Sequence, residues 1–523
     1  MIITGKQFIG NTRSAKGTTT FHSSNNSEHV FYEATSEEIG EAVEKAHEAF
    51  LQYRNLPGSV KASFLQTIAT GIEAQRAELL QVAIQETHLA EPRLNGEINR
   101  TINQIKLFAD LLNEGSWVKA IIDTAQPQRT PLPKPDIRQM QKPIGAIAVF
   151  GASNFPFAFS TAGGDTIAAF AAGCAVVYKA HPAHPILSEM VAQIIIDAVQ
   201  KSNVPDGIFS MIQAASTEPA TNLVQHSLIK AVAFTGSYNG GKSIYDIAAK
   251  RDEPIPVYAE MGSVNPVFIL PEILQQQGEE IAKSLAASNA LSAGQFCTNP
   301  GIIVANGNDD AEKFQNIFAS VISNANAETM LSDSILKRYN HQIKNLAETN
   351  NATLKSVNDA QTENAATPKM FTTSVEQFVA QHQLHEEVFG PSSLHMIAKN
   401  ERDLLQIAQS LKGQLTITIW ATENDMSEYK ELINYLELKA GRIIINGVPT
   451  GVEVTHAMMH GGPYPATTDS KFTSVGSTSI YRFTRPVCYQ NFNNGFLPGE
   501  LKNENPNNIV RMVNGEYTKN KID

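Results

Sequence analysis

Apolar positions along this chain recur first at helical spacing. Ile39, Val43, Ala46 and Phe50 form one stripe behind Thr35-Ser36-Glu37-Glu38, where a hydroxyl with a glutamate three residues on makes a capping box. The same period predicts a second helix over about 61–87, with Phe64, Ile68, Ile72 and Leu79 on one face. A third helix carries Ile98, Ile102, Ile105, Ala109 and Leu112. All three read as packing helices with no chemistry attached. A stretch over 124–143 follows, with prolines at 127, 131, 133, 135 and 143. Proline removes backbone donors, so this stretch is expected as an extended connector or edge arm, not a helix or central strand.

The texture then changes. Short apolar runs at 145–151, 175–180, 208–213 and 231–237 alternate with helical segments such as 164–172 and 188–199. Strands rich in Val, Ile and Ala between helices predict βαβ units and a parallel sheet covered on both faces. Such sheets bind ligands at the carboxyl ends of their strands. Function is therefore sought at Ser153-Asn154-Phe155-Pro156, Lys179-Ala180-His181-Pro182 and Gly236-Ser237. From Pro256 the pattern restarts: strands near 256–261 and 265–270, a small-residue helical run over 281–293, a strand at 302–304, and elements around 375–385, 403–411, 415–420 and 442–446. That predicts a second α/β domain. Past Gly461-Gly462-Pro463 the chain is turn-rich, and from about residue 503 it is polar and Asn-rich, expected as a surface tail.

Composition narrows the classes. At 523 residues the chain is long enough for two to four domains with large cores. Hydrophobic content of 42% with 18% charged residues is ordinary for a globular protein. A formal net charge of −11 argues against nucleic acid or an anionic membrane as a general partner. The three cysteines, Cys174, Cys297 and Cys488, form no CxxC pair, which argues against a disulfide framework or a cysteine zinc site. No secretory pattern opens the chain and no apolar run approaches about 18 residues, so a soluble, cytoplasmic protein is expected. Asn25 and Asn351 head Asn-X-Ser/Thr triplets, expected as chance matches in the absence of export.

The candidate chemistry centres on Gly294-Gln295-Phe296-Cys297-Thr298-Asn299-Pro300-Gly301. A thiol on a glycine-flanked loop between two packed elements suits a nucleophile, although a lone Cys is more often a small buried hydrophobe. Cys174, after Gly173 in an apolar run, reads as core; Cys488, among aromatics, reads as structural. Taken singly, Asn154 could be a turn residue and Glu260 a solvated charge. His181 and His184 lack a third ligand, so no metal site is expected.

Taken together, Asn154, Lys179, Phe234-Thr235-Gly236-Ser237, Glu260-Met261-Gly262, Cys297 and Glu387-Val388-Phe389-Gly390-Pro391 resemble the aldehyde dehydrogenase superfamily over nearly the whole chain. The resemblance implies an α/β fold with a Rossmann-type cofactor domain (1–123 and 144–256), a catalytic domain (257–463), an oligomerisation arm (124–143 and 464–490) and a C-terminal tail (491–523). It implies Cys297 as the nucleophile, the Asn154 amide with the Cys297 N–H as oxyanion donors, and Glu260 as the base for thioester hydrolysis and a candidate base for the thiol, with no histidine required. Gly236, Ser237 and Gly241 would form the pyrophosphate loop, Lys179 would meet the adenosine ribose, and Glu387 the nicotinamide ribose with Phe389 beside it. Phe155, Phe159 and Phe296 flank the catalytic residues and would make an apolar mouth.

NAD-preferring relatives carry a glutamate three residues after the ribose lysine. Here that position is Pro182 and no acid lies nearby in sequence, which favours NADP while leaving NAD open. The chain departs from the family pattern at Met261, Ser263, Ser153 and Ser292, each altering packing beside a catalytic group. Within the family, the runs 151–160, 162–165, 179–185 and 460–467 are similar to α-ketoglutaric semialdehyde dehydrogenases. The expected substrate is 2,5-dioxopentanoate, oxidised to 2-oxoglutarate by a homodimer or homotetramer. A fatty aldehyde remains the alternative, and no residue in the sequence can be singled out to hold a substrate carboxylate. Two other readings stand beside this one: a cysteine acyl-transferase or esterase, which needs a histidine aimed at the thiol, and a non-enzymatic relative.

Overall fold

A computed structural model describes residues 2–307, 309–348, 352–356 and 364–522, so Asn351 lies outside the described residues. Two seven-stranded sheets dominate it. The first runs in the order Val257–Glu260, Ile229–Thr235, Ala146–Phe150, Ala175–Lys179, Phe209–Ile212, Gln7–Ile9, Thr12–Ser14. The first five strands in this order are parallel. They are buried on both faces because helices such as Gly164–Ala172, Pro185–Lys201 and Tyr238–Ala249 cover them, which is why they read as unbroken Val/Ile/Ala runs. The N-terminal hairpin adds an antiparallel edge through Phe8 and Met211.

Chain order reverses between Ala146–Phe150 and Ile229–Thr235. The strands after Ala146–Phe150 step outward on one side; those from Ile229 step outward on the other. The crevice at such a switch point lies beyond the strand carboxyl ends. The loops leaving it are those bearing Asn154 and Gly236-Ser237, and Glu260 closes the neighbouring strand.

The second sheet runs Thr353–Leu354, Lys369–Thr372, Ser392–Ala398, Ile302–Asn306, Val267–Ile269, Gln414–Trp420, Ala440–Ile445, parallel except at its first pair. One face packs on Phe268, Leu404 and Leu432, the other on Leu285, Phe314 and Phe318. Only residues 261–266 separate its first strand in the chain from Glu260.

Four expectations change. The helix foreseen over 61–87 is two, Gly58–Ala74 and Arg76–Thr87, because Gln75 leaves helical geometry at φ −106°. The Pro-rich arm does contain an inner strand, Ile137–Pro143, between Thr484–Gln490 and Ile121–Asp123. Four of its prolines precede that strand and Pro143 ends it, so no interior donor is lost. The polar tail is folded too. Arg511–Val513 and Glu516–Thr518 extend the same five-stranded sheet, anchored by buried Leu501 and Ile509, and the Arg511 guanidinium donates to the carbonyls of Asn503 and Asn520. Cys174 is core, with its thiol against the Phe483 carbonyl, whereas Cys488 is exposed on its strand and not structural. Asn25 donates to the carbonyls of Glu86 and Leu331, a part-buried bracing role.

Candidate active site

The cysteine loop is held in an unusual path. Ser292, Ala293 and Gly294 all have left-handed φ, of 52°, 54° and 63°. Such a run costs energy unless its surroundings fix it. The Ala293 N–H donates to Glu328 at 2.9 Å, and a Cβ on Gly294 would stand 2.4 Å from the Gly390 backbone, so only glycine fits there. Asn265, itself at φ 43°, donates its amide to the carbonyls of Cys297 and Asn299, both at 2.9 Å. This side chain ties the end of the Glu260-Met261-Gly262 segment to the thiol loop.

Glu260, Cys297 and His460 come together with their ligand atoms all within 4.8 Å of one another. His460 Nε2 is 3.5 Å from Cys297 Sγ and 3.1 Å from Glu260 Oε1. Ser474 donates to the other carboxylate oxygen at 2.9 Å, and Thr473 Oγ1 accepts from the His460 N–H at 2.8 Å. Burial opposes ionisation of Glu260, but the His460 charge and hydrogen bonds from His460, Ser474 and the thiol outweigh it. The carboxyl sits below its ordinary range. Burial and the Glu260 charge push the Cys297 thiol well up, with Arg100 pulling the other way. The resting sulfur is therefore a thiol with a proton acceptor already in place. The sequence reading required no histidine; the structure places His460 against both the thiol and the carboxylate, which also hydrogen-bond each other. Its lone mark in the sequence is His460-Gly461-Gly462-Pro463, 163 residues from Cys297, and only the fold joins them. A histidine aimed at the thiol, required for the esterase reading, thus accompanies the glutamate required for the dehydrogenase reading.

The Asn154 amide donates to the Gln295 carbonyl at 3.2 Å, which seats it beside the thiol loop. Phe155, Phe159 and Phe296 do meet. Ring centres of Phe155 lie 5.5 Å from Phe159 and 5.8 Å from Phe296, and Phe159 is 6.2 Å from the His460 ring. Val452, Val454 and Met458 pack against this aromatic group.

The nucleotide candidates occupy positions that suit a dinucleotide. Ser237 caps the Tyr238–Ala249 helix, whose positive end faces the switch-point crevice. Gly241 lies inside that helix and not in the loop; a Cβ there would meet Met261 Cγ at 2.5 Å, so its glycine serves close packing beside Glu260. Lys179 ends its strand, its pKa drawn down to about 8 by burial and raised in part by Glu33. That glutamate amends the expectation that no acid lies near the lysine: it is distant in sequence but close in space. Its oxygens are already taken by the N–H groups of Ala215 and Ser216 and the Ser216 hydroxyl. Glu387 is pushed up to about 8, burial and the Glu260 charge outweighing the Ser263 N–H. It lines a cleft of about 500 Å³ with Phe389, Phe296 and Ser263. His181 and His184 are committed to the Ala183 N–H and to the Ala152 carbonyl.

A model of the aldehyde dehydrogenase family matches residues 14–479. The chain belongs to this family. Among curated relatives, the α-ketoglutaric semialdehyde dehydrogenase of Acinetobacter baylyi is 45% identical over 525 residues, 99% of either chain. The α-ketoglutaric semialdehyde dehydrogenase 2 of Azospirillum brasilense is 42% identical, covering 93% of each chain. Betaine aldehyde dehydrogenase from Staphylococcus aureus, solved with NAD+, superposes with a TM-score of 0.80 at 18% identity over 94% of this chain and 97% of its own. An aldehyde dehydrogenase from Bacillus cereus gives a TM-score of 0.79 at 21% identity over 93% of this chain and 96% of its own. As an aldehyde dehydrogenase the chain has the expected α/β architecture, and family members use nicotinamide cofactors to oxidise aldehydes.

Proposed function

We propose that this aldehyde dehydrogenase oxidises 2,5-dioxopentanoate to 2-oxoglutarate through a thioester on Cys297. The observation that carries the chemistry is the Cys297–His460–Glu260 chain set beside the Asn154 amide. Glu260, held charged by His460 and Ser474 and hydrogen-bonded by the thiol, accepts the thiol proton. The sulfur adds to the aldehyde carbon, and the new oxyanion takes hydrogen bonds from Asn154 and the Cys297 N–H. The bound nicotinamide supplies the hydride acceptor. Once that proton has left the site, Glu260 takes another from the water that hydrolyses the thioester and returns it to the departing sulfur. The substrate assignment is supported by the two relatives named for α-ketoglutaric semialdehyde.

For the cofactor, the first sheet would be the nucleotide domain, with Lys179 at the adenosine ribose, Gly236 and Ser237 at the pyrophosphate, and Glu387 with Phe389 at the nicotinamide ribose. NADP is preferred over NAD in this reading. Pro182 leaves no carboxylate beside the lysine in sequence, and three donors already occupy most of the Glu33 carboxylate, whose charge near Lys179 is what leaves NAD open. The second sheet would be the catalytic domain. The third would build a homo-oligomer through its Thr484–Gln490 edge, in a reducing compartment such as the cytoplasm that suits three free cysteines. Among the described residues no helix is long and apolar enough to cross a membrane.

A substrate panel with both cofactors tests this, comparing 2,5-dioxopentanoate, succinic semialdehyde, glutaraldehyde and long alkanals. The highest kcat/KM is expected for 2,5-dioxopentanoate with NADP. The apolar ring group around Phe159 favours a second reading, a longer aliphatic aldehyde; a long alkanal ranking first would establish it in place of the first.

A further inference from the structure

The Glu91–Glu114 helix was expected to serve packing alone. Yet Arg93, Glu97 and Arg100 follow at four and three residues, which puts all three on one helical stripe. Arg93 stacks over Phe296 and Phe155, its guanidinium carbon 4.4 and 5.2 Å from their centres, and Arg100 stands 5.2 Å over Phe159. These are the rings that flank Cys297 and His460.

Each guanidinium is held by one donated hydrogen bond to a main-chain carbonyl. Arg93 Nη2 reaches Asn154 O at 2.6 Å, and Arg100 Nε reaches Val452 O at 3.3 Å. Arg93 Nε and Nη1 and Arg100 Nη1 are buried with no partner. Glu97 does not satisfy them. Its Oε1 accepts the N–H groups of Phe157 and Ala158, both at 2.8 Å, and its Oε2 is itself unpaired. Glu328 also acts on Arg93, and Glu260 and Glu453 on Arg100. The one hydrogen bond each guanidinium makes nonetheless goes to a main-chain carbonyl, which leaves charged donors free at an apolar mouth. Buried charged donors without acceptors are costly and uncommon unless a ligand completes them. Burial lowers the pKa of both arginines against the charge of Glu97 and of the Cys297 sulfur when ionised, so each lies within electrostatic reach of that sulfur.

We propose that Arg93 and Arg100 form the acid-binding end of the aldehyde site. They take the carboxylate and adjoining 2-oxo oxygen of 2,5-dioxopentanoate while its aldehyde carbon lies at Cys297. This rests on the substrate reading above. The planar fork of a guanidinium matches a carboxylate, and stacking on phenylalanine rings holds the fork rigid. A neutral alkanal leaves the same N–H groups unpaired, so the site discriminates against it.

The test compares kcat/KM for 2,5-dioxopentanoate with that for pentanal, in wild type and in Arg93→Met, Arg93→Lys, Arg100→Met and Arg100→Lys. The ratio is expected to fall about 10- to 100-fold in each methionine variant, the loss of a hydrogen bond to a charged group, and to recover in part with lysine. A purely bracing role would slow both substrates alike, and an unchanged ratio overturns the proposal. A second measurement is independent of which aldehyde is natural. 2-Oxoglutarate should protect Cys297 from iodoacetamide in wild type and lose that protection in the methionine variants. Protection that is absent in wild type, or equal in all, overturns the arginine site. A wild-type ratio near one, with protection intact, removes only the substrate reading.

Discussion

His460 Nε2 stands 3.1 Å from the Glu260 carboxylate, which in turn accepts from Ser474. The same nitrogen is also 3.5 Å from Cys297 Sγ, so one ring atom faces both the thiol and the carboxylate. His460→Gln should therefore lower kcat/KM about 10- to 100-fold, the worth of a hydrogen bond to a charged group, with nucleotide affinity retained. Steady-state kinetics with a nucleotide titration checks this; turnover within a factor of two of wild type would remove His460 from the mechanism.

Cys297→Ala should abolish reduced-nucleotide formation while nucleotide still binds, measured by absorbance and by fluorescence titration. Retained turnover would refute the nucleophile assignment.

Glu260→Gln should slow thioester hydrolysis more than hydride loss. A burst of reduced nucleotide stoichiometric with enzyme is then expected ahead of a slow steady state. An unchanged steady-state rate would count against the assignment.

The same substitution bears on pH dependence. The Glu260 charge is one reason the thiol pKa is raised, after burial, and a raised pKa means thiolate appears only at alkaline pH. Removing that charge lowers the thiol pKa, so iodoacetamide should alkylate Cys297 in Glu260→Gln at lower pH than in wild type. An unmoved alkylation profile would show that the carboxylate charge does not reach the sulfur.

Asn265→Ala should cost about 1–3 kcal/mol of stability by orphaning buried carbonyls, and strains a left-handed position as well. A lower Tm with weakened turnover is expected. A Tm equal to wild type would show that the loop is held without it.

Much of this was legible in order along the chain. The parallel strands appear as Val/Ile/Ala runs because both faces are buried, and Asn154, Lys179 and Ser237 are prominent because they follow strand ends. Glu260 and Cys297 were legible through motif resemblance. His460, Asn265, Glu33, Arg93 and Arg100 were not assigned roles. Their signals are a lone histidine before two glycines, an asparagine in a variant motif, a glutamate just past an N-terminal strand and two arginines in an amphipathic helix, none of which departs from ordinary usage.

The sequence by itself determined which stretches bury themselves and which residues carry reactive groups, since hydrophobic period and side-chain chemistry are local properties. Only the tertiary structure decided that a histidine 163 residues from the thiol stands against both it and the glutamate, and that the final strands join the arm. Those facts depend on how two sheets meet at Glu260, where packing of distant segments sets angstrom distances that no local pattern encodes.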